Sequence, residues 1–337
     1  DRMKIAVILG GTSAERDISL VSGIAIAKAL EANGHSVEAV DCAFGDKLID
    51  YAGQDINKII SAIPSDIEKN KNELNRNVVK TVSYLLENKF DIAFIALHGG
   101  YGENGQLQAL LELMHINFTG SDSLSSALGM HKHYSKILFR NNGIPTVEGI
   151  ALKKGETLNR EQLNELGMPL IIKPNDQGST VGLTKVESTE QIENSLKIAF
   201  EYSQMALIEK YITGRELTVS ILDQTPLPVI EIIPRSGFYD YEAKYQHGQT
   251  SYICPAELPE KLTARLQNLA LNAYNALSCR HYARVDFRMD ESENIYCLEV
   301  NTLPGMTPTS LVPKAAKAIG ISFNMLVEKI VETAIND

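Results

Sequence analysis

The chain has 337 residues, 44% of them hydrophobic and 22% charged. This is globular composition, with apolar material for two or three cores. A formal net charge of −10 at pH 7 argues against nucleic acid or an anionic membrane as main partner, so basic groups that handle phosphate must be local.

The opening Asp1-Arg2-Met3-Lys4 lacks the apolar core of a secretion signal, and Met3 reads as the native start. Lys4 to Leu9 is a short β-branched run ending at Gly10-Gly11. A helix-like stretch, Ser19 to Asn33, leads through Gly34 to a second strand-like run, Ser36 to Asp41. Strand, glycine turn, helix, strand reads as an open α/β unit. A third buried-type run, Asp91 to Leu97, stops at His98-Gly99-Gly100. Residues 1–120 thus read as one doubly wound domain, whose ligands gather where strands end: at Gly10 to Ser19 and His98 to Gly105. Leu124 to Asn142 reads as one helix, stopped by Gly143 and Pro145. Pro169 to Pro174 is a short strand running into a loop that ends at Gly182, and Ala206 to Tyr211 is another strand. The last third alternates strands (Leu217 to Leu222, Val229 to Ile233, Tyr282 to Met289, Ile295 to Val300) with helices (Pro259 to Leu277, Thr309 to Gly320, Phe323 to Ile335). Three subdomains are expected: 1–120, 121–212 and 213–337. No apolar run approaches the ~18 residues of a membrane span. The four cysteines (Cys42, Cys254, Cys279, Cys297) are scattered without a C-x-x-C, which suggests reduced thiols in a cytoplasm.

The strongest local pattern lies near the C-terminus. Tyr282 to Met289 and Ile295 to Val300 are joined by Asp290-Glu-Ser-Glu-Asn294, a link short enough for an antiparallel hairpin. Side chains alternate faces, so Val285, Phe287 and Met289 share a core face with Tyr296, Leu298 and Val300. Arg284, Asp286 and Arg288 share the other with Cys297, Glu299 and Asn301. A turn centred between Ser292 and Glu293 sets Asp286 opposite Glu299 and Arg284 opposite Asn301, with Cβ atoms ~5 Å apart. Two carboxylates so placed repel unless a cation lies between them, and an oxygen-rich set suits Mg²⁺ completed by substrate phosphates. The alternative is a solvated polar face, which would more naturally oppose Asp286 with a basic residue. The loop that follows, Thr302 to Leu311, leads into a helix start, where free N–H groups bind anions.

Lys173 precedes a loop of small residues, Asn-Asp-Gln-Gly178-Ser179-Thr180-Val-Gly182. It reads either as a phosphate loop with its lysine or as an ordinary Gly/Ser turn. Lys132, in Gly129-Met-His-Lys132-His-Tyr-Ser-Lys136, is a second phosphate candidate or a solvated helical lysine. Glu209-Lys210-Tyr211-Ile212, with Gly214-Arg215-Glu216, links two strands and can present backbone groups to a base edge while an acid meets a ribose. A nicotinamide reading of the opening unit fails, because Gly-Gly-Thr-Ser-Ala-Glu follows Leu9 where G-x-G-x-x-G is needed.

Taken together, these segments resemble the ATP-grasp superfamily and, within it, the D-alanine–D-alanine ligases. The marks are Gly10-Gly-Thr-Ser-Ala-Glu15-Arg16, His98-Gly-Gly-Tyr-Gly-Glu103-Asn-Gly105, Lys173 to Gly182, Phe238 to Tyr245, Arg284-Val-Asp286, and Glu299-Val-Asn301-Thr-Leu-Pro-Gly-Met-Thr. The resemblance spans nearly the whole chain. It implies an α/β fold (α+β in part): an N-terminal doubly wound open-sheet domain and two α+β subdomains clamping ATP. It implies ligation of two D-alanines through an acyl phosphate for peptidoglycan synthesis, in a cytoplasmic homodimer.

The resemblance also implies roles. Lys132 and Lys173 would hold phosphates, with Ser179 and Lys244 also on the nucleotide. Glu209, Lys210, Tyr211, Ile212 and Glu216 would take adenine and ribose. Asp286, Glu299 and Asn301 would hold two Mg²⁺ ions, or Mn²⁺. Glu15 would bind the ammonium of the first D-alanine, with His98 nearby. Ser310 and the Leu311 backbone would bind the carboxylate of the second. Arg284 and the Gly305 N–H would form the oxyanion site. Ser179 and Tyr245 would hydrogen-bond with Glu15, closing a loop from Pro234 to Gln249. His131 stands where the family usually has an acid, and Asn104 and Thr180 where Asp and Ser are commoner.

Overall fold

The computed structural model describes residues 2–53, 55–61, 67–234 and 250–337. Lys244 and Tyr245, with the rest of the expected loop after Pro234, lie outside the described residues. The first sheet contains β1 (Lys4–Leu9), β2 (Ser36–Asp41), β3 (Lys47–Leu48) and β4 (Ile92–Ile95), in the order β3-β2-β1-β4. β1 is parallel to β2 and β4, and β3 is antiparallel at the edge. Ile5 to Leu9 are all fully buried, as an unbroken apolar run in a covered parallel sheet requires. Helix α1 (Arg16–Ala32) packs on β1 and β2. It comes so close that a Cβ on Gly23 would lie 2.5 Å from the Leu9 Cβ. Helices α2 (Val78–Glu87) and α3 (Gln106–Leu113) add Val82, Leu85, Leu107 and Leu111 to this core.

The stretch expected as one helix is two: α4 (Ser123–Met130) and α5 (Lys132–Asn141). The chain turns at His131, whose Nδ1 accepts the Tyr134 N–H at 3.4 Å and caps α5. Beyond it the Lys132 N–H donates to the Asn175 carbonyl at 3.2 Å, and the His133 N–H to Asn175 Oδ1 at 2.8 Å. The residue at the break is neither glycine nor proline, although Gly129 lies two residues before it. Hydrogen bonds to a distant loop make it, and they bring Lys132 against that loop.

The second sheet is antiparallel, with β5 (Gly149–Lys153), β6 (Leu170–Pro174), β7 (Thr184–Val186) and β8 (Met205–Lys210) in the order β5-β8-β6-β7. Helix α6 (Ile192–Tyr202) packs on β6 and encloses a small core around Leu170, Ile172, Val186 and Ile208. The third sheet holds β9 (Arg215–Leu222), β10 (Thr225–Pro226), β11 (Ile230–Pro234), β12 (Thr250–Ile253), β13 (Tyr282–Met289) and β14 (Ile295–Asn301). Its order is β12-β11-β9-β13-β14, with β10 on β9. Helix α7 (Glu260–Ala276) covers it, burying Leu266, Ala270 and Tyr274 against Leu217, Val219 and Val285. The closing helices α8 (Leu311–Lys317) and α9 (Phe323–Asn336) pack into the first core: Val312, Leu326, Val327 and Ile330 are buried with Leu9, Leu30 and Ile95.

The β13–β14 hairpin has the expected pairing at the site end: Asp286 faces Glu299 and Arg284 faces Asn301. Nearer the turn the expectation needs correction. Met289 pairs with Ile295, Arg288 with Tyr296 and Phe287 with Cys297, so the turn centres on Ser292, and a bulge after Asp286 absorbs the extra residue. Asp290 fixes that turn by accepting the Ser292 and Asn294 N–H groups, both at 2.9 Å. The bulge reverses three assignments: Tyr296, expected in the core, pairs with Arg288 on the other face and is half-buried. Cys297 is fully buried with Phe287 in the core, and Leu298 faces the cavity beside Glu299.

Candidate active site

Two cavities adjoin in the cleft between the sheets. The first opens between β6 and β8 on one side and β13 and β14 on the other. Its walls include Val147, Ile171, Ile212 and Leu298, with Lys132, Lys173, Glu216, Asp286 and Glu299 among its polar lining. The second, about 850 Å³, is lined by Glu15, His98, Glu103, Arg284, Asn301, Gly305, Ser310 and Leu311. Lys132, Ser179 and Glu299 line both.

Helix α5 sets Lys132 and Lys136 four residues apart, hence on one face. Lys132 Nζ donates to the Gln177 carbonyl at 2.7 Å and lies 3.2 Å from Glu299 Oε2. Lys173 Nζ lies 2.6 Å from Glu209 Oε1, and Lys136 pairs with the other oxygen of the same carboxylate. Burial pushes the Lys173 ammonium down to about 8, aided by the Lys132 charge. Burial, then Lys173, pushes Lys136 well below the usual lysine range. An anion entering here would relieve that excess of positive charge. Glu209, expected at adenine and ribose, is only 4% exposed, and its carboxylate is held by the two lysines. Glu209 lines the first cavity all the same, together with the other linker residues, Lys210, Tyr211, Ile212 and Glu216. Lys136 is a residue the sequence reading passed over, although its spacing from Lys132 was a signal.

On the hairpin, Arg284 Nε donates to Asp286 Oδ1 at 2.9 Å and Nη2 to Oδ2 at 3.1 Å. Thr218 adds a bond to Oδ1 at 2.8 Å. Asn301 Oδ1 accepts the Leu303 N–H at 3.0 Å and retains a second lone pair. Among the described residues no group of three or more His, Cys, Asp and Glu side chains is placed to hold a metal. The donor set is instead two carboxylates and an amide oxygen. It is all oxygen, it is balanced by Arg284 and Lys132, and it fits a hard cation that takes its remaining ligands from phosphate.

In the second cavity Ser179 Oγ donates to Glu15 Oε1. Ser179 and Thr180 both have left-handed backbones, φ +54° and +60°, in the loop after Lys173. Such conformations are uncommon for residues with a side chain and concentrate at functional loops. Gly99 is required by its backbone, at φ +67° and ψ 177°, a region essentially confined to glycine, and a Cβ there would also lie 2.7 Å from Glu15 Oε2. The Gly99 N–H donates to Glu103 Oε2 at 2.7 Å. Burial pushes the Glu103 carboxyl up to about 8, and the nearby Glu15 charge adds to the rise. His98 is buried, with Nδ1 at 3.0 Å from the Leu303 carbonyl and Nε2 at 3.0 Å from Ser22 Oγ. The carbonyl requires a proton on Nδ1, and burial lowers the ring's proton affinity, so His98 is neutral and accepts from Ser22. Ser22 also accepts the Met306 N–H at 3.3 Å, fixing the loop that carries Gly305. Ser310 precedes α8 and its Oγ accepts the Thr307 N–H at 3.0 Å. Glu103 and Ser22 had no assigned role in the sequence reading; Glu103 was visible as an acid inside a glycine loop, while Ser22 looked like any helical serine.

A doubly wound domain followed by two antiparallel sheets, with lysines and a carboxylate hairpin facing one cleft, defines the ATP-grasp class of ligases. Family models described as "D-ala D-ala ligase N-terminus" and "D-ala D-ala ligase C-terminus" match residues 4–121 and 138–332. The D-alanine–D-alanine ligase of Trichlorobacter lovleyi is 44% identical over 97% of this chain and 93% of its own. The crystal structure of the Bacillus anthracis D-alanine–D-alanine ligase is 36% identical, with a TM-score of 0.79 over 99% of this chain and 98% of that one. A structure from the same organism complexed with ATP is 34% identical, with a TM-score of 0.77 over 99% and 98%. The chain belongs to the D-alanine–D-alanine ligase family.

Proposed function

We propose that the paired cavities carry out ATP-dependent ligation of two D-alanines, giving D-alanyl-D-alanine, ADP and phosphate for peptidoglycan precursors. The observation that carries this reading is the shared wall of Lys132, Ser179 and Glu299 between the two cavities, which supports a nucleotide's phosphate end meeting a substrate there. A relative solved with ATP supports ATP as the nucleotide. Adenine and ribose would lie along Glu209, Lys210, Tyr211, Ile212 and Glu216, and the phosphates would meet Lys132, Lys173 and the Ser179 loop. Lys136 would set the charge of that end from behind, through its ion pair with Glu209. Asp286, Glu299 and Asn301 would hold two Mg²⁺ ions, or Mn²⁺, which when bound neutralise phosphate charge.

A carboxylate is a poor acyl donor at neutral pH. Phosphorylating the first D-alanine solves this, and positioning with charge neutralisation supplies most of the catalysis. Glu15 would orient that substrate by its ammonium, itself held by Ser179 and flanked by Glu103. Ser310 and the Leu311 backbone would take the second carboxylate. The second D-alanine's ammonium would first give up a proton to solvent; its amine would then attack the acyl carbon, the developing oxyanion would meet Arg284 and the Gly305 N–H, and the C–O bond would break to release phosphate as the amide sheds its remaining proton. Tyr245 and Lys244 would join from outside the described residues.

The division into 1–120, 121–212 and 213–337 is supported by one sheet falling within each. A homodimer is supported by exposed apolar side chains on the neighbouring helices α2 and α3: Val79, Leu86 and Leu113. A cytoplasmic location is supported by buried or half-buried free cysteines. The deciding assay is coupled ADP release on adding D-alanine. Nucleotide binding with no D-alanine-dependent ADP release would mean a sensor, and preferential ester formation with D-lactate would replace the second substrate.

A further inference from the structure

Arg288 stands on β13 two residues beyond Asp286, and the ligation chemistry makes no use of it. Its Nε donates to the Ile212 carbonyl at 2.7 Å, and Nη2 donates to the Gly214 carbonyl at 3.3 Å and the Tyr211 hydroxyl at 3.5 Å. Nη1 lies 3.7 Å from Glu216 Oε2, and both side chains are 14% exposed. The guanidinium also lies over the Tyr211 ring, 5.2 Å from its centroid, and the Lys185 ammonium lies 4.5 Å from the same centroid. The residues held are those between β8 and β9, where the backbone leaves one sheet before entering the next. Carbonyls there have no ladder to fix their direction. A planar, five-donor group can grip several of them and still reach a carboxylate; an ammonium cannot.

We propose that Arg288 is a positioning residue for the sugar end of the nucleotide. It fixes the Tyr211–Gly214 linker and holds Glu216 against the cavity, and so sets the preference for ribose over 2′-deoxyribose. This rests on the nucleotide reading of the first cavity.

The test is calorimetric titration of a non-hydrolysable ATP analogue and its 2′-deoxy form, with Mg²⁺ and without D-alanine, into wild type, Arg288→Met and Arg288→Lys. Wild type prefers the ribose form by about tenfold, the scale of one charge-assisted hydrogen bond. Both variants lose that preference to within about twofold, and adding Glu216→Gln to Arg288→Lys lowers it no further. Weaker binding of both analogues with the preference intact overturns the proposal, since loose packing would do that. So does a wild type with no ribose preference. If Arg288→Met does not fold, Arg288→Lys, which keeps the charge and the stem, decides alone. A wild type that binds the analogue but releases no ADP with D-alanine defeats the ligase reading and leaves this one standing. A wild type that ligates while Arg288→Lys keeps its sugar preference does the reverse.

Discussion

Lys136, Lys173 and Glu209 show how single residues set the character of the site. Two buried ammonium groups share one carboxylate, and burial brings Lys173 down to about 8. A bound phosphate favours the protonated lysine. The complex therefore holds more protons than the free protein above pH ~8, and affinity falls as pH rises through that value. Nucleotide titrations from pH 7 to 10 should show the fall, and Lys173→Arg, which does not titrate there, should flatten it. Arg284 has a second burden in that it neutralises Asp286. Arg284→Ala is expected to cut turnover by at least ~10² in a folded protein, and a near-normal steady-state rate would sink its oxyanion role. The Asp286–Glu299 pairing was legible because strand alternation is local. The Lys136–Glu209 pair was not, because it joins a helix to a strand in a different sheet.

Among the elements, turns and bulges were least legible. The hairpin's two strands were plain from their apolar alternation, yet the bulge after Asp286 exchanges Cys297 for Leu298 on the site face. A bulge costs no particular residue type, so nothing in the sequence announces it. The linker after β8 is the opposite case. Gly214 sits at φ +150°, and a Cβ there would lie 2.0 Å from the Met289 carbonyl oxygen. Gly214→Ala should destabilise the protein by about 1–3 kcal/mol, seen as a lower urea midpoint, and should weaken nucleotide binding because the linker must move. An unchanged midpoint would mean that the backbone relaxes freely.

At the scale of the molecule, the end of the chain completes the beginning. Ile330 on α9 is fully buried in the same core as β1. Ile330→Ala should cost about 2–5 kcal/mol and speed hydrogen exchange at β1 amides, far away in sequence; a change confined to α9 would contradict the shared core. Global stability should also carry the mark of Glu103. Its carboxyl stays protonated to about 8 when folded, against 4.5 ordinarily. Between those values the unfolded chain binds fewer protons, so stability falls as pH rises. Glu103→Gln should remove that part of the slope in denaturant titrations run from pH 5 to 8.

By itself the sequence determined the α/β unit, the carboxylate hairpin, the lysine before its small-residue loop, and the family. All of these are carried by spacing and residue type over short stretches, where period and chemistry are local. Tertiary structure alone decided that α4 and α5 are separate helices, that Glu209 belongs to lysines, that Leu298 faces the cavity, and that α9 closes the first core. The bulge that turns Leu298 needs no particular residue type; the other three depend on hydrogen bonds, ion pairs or packing between segments far apart in the chain, whose energies have no counterpart in any local window of residues.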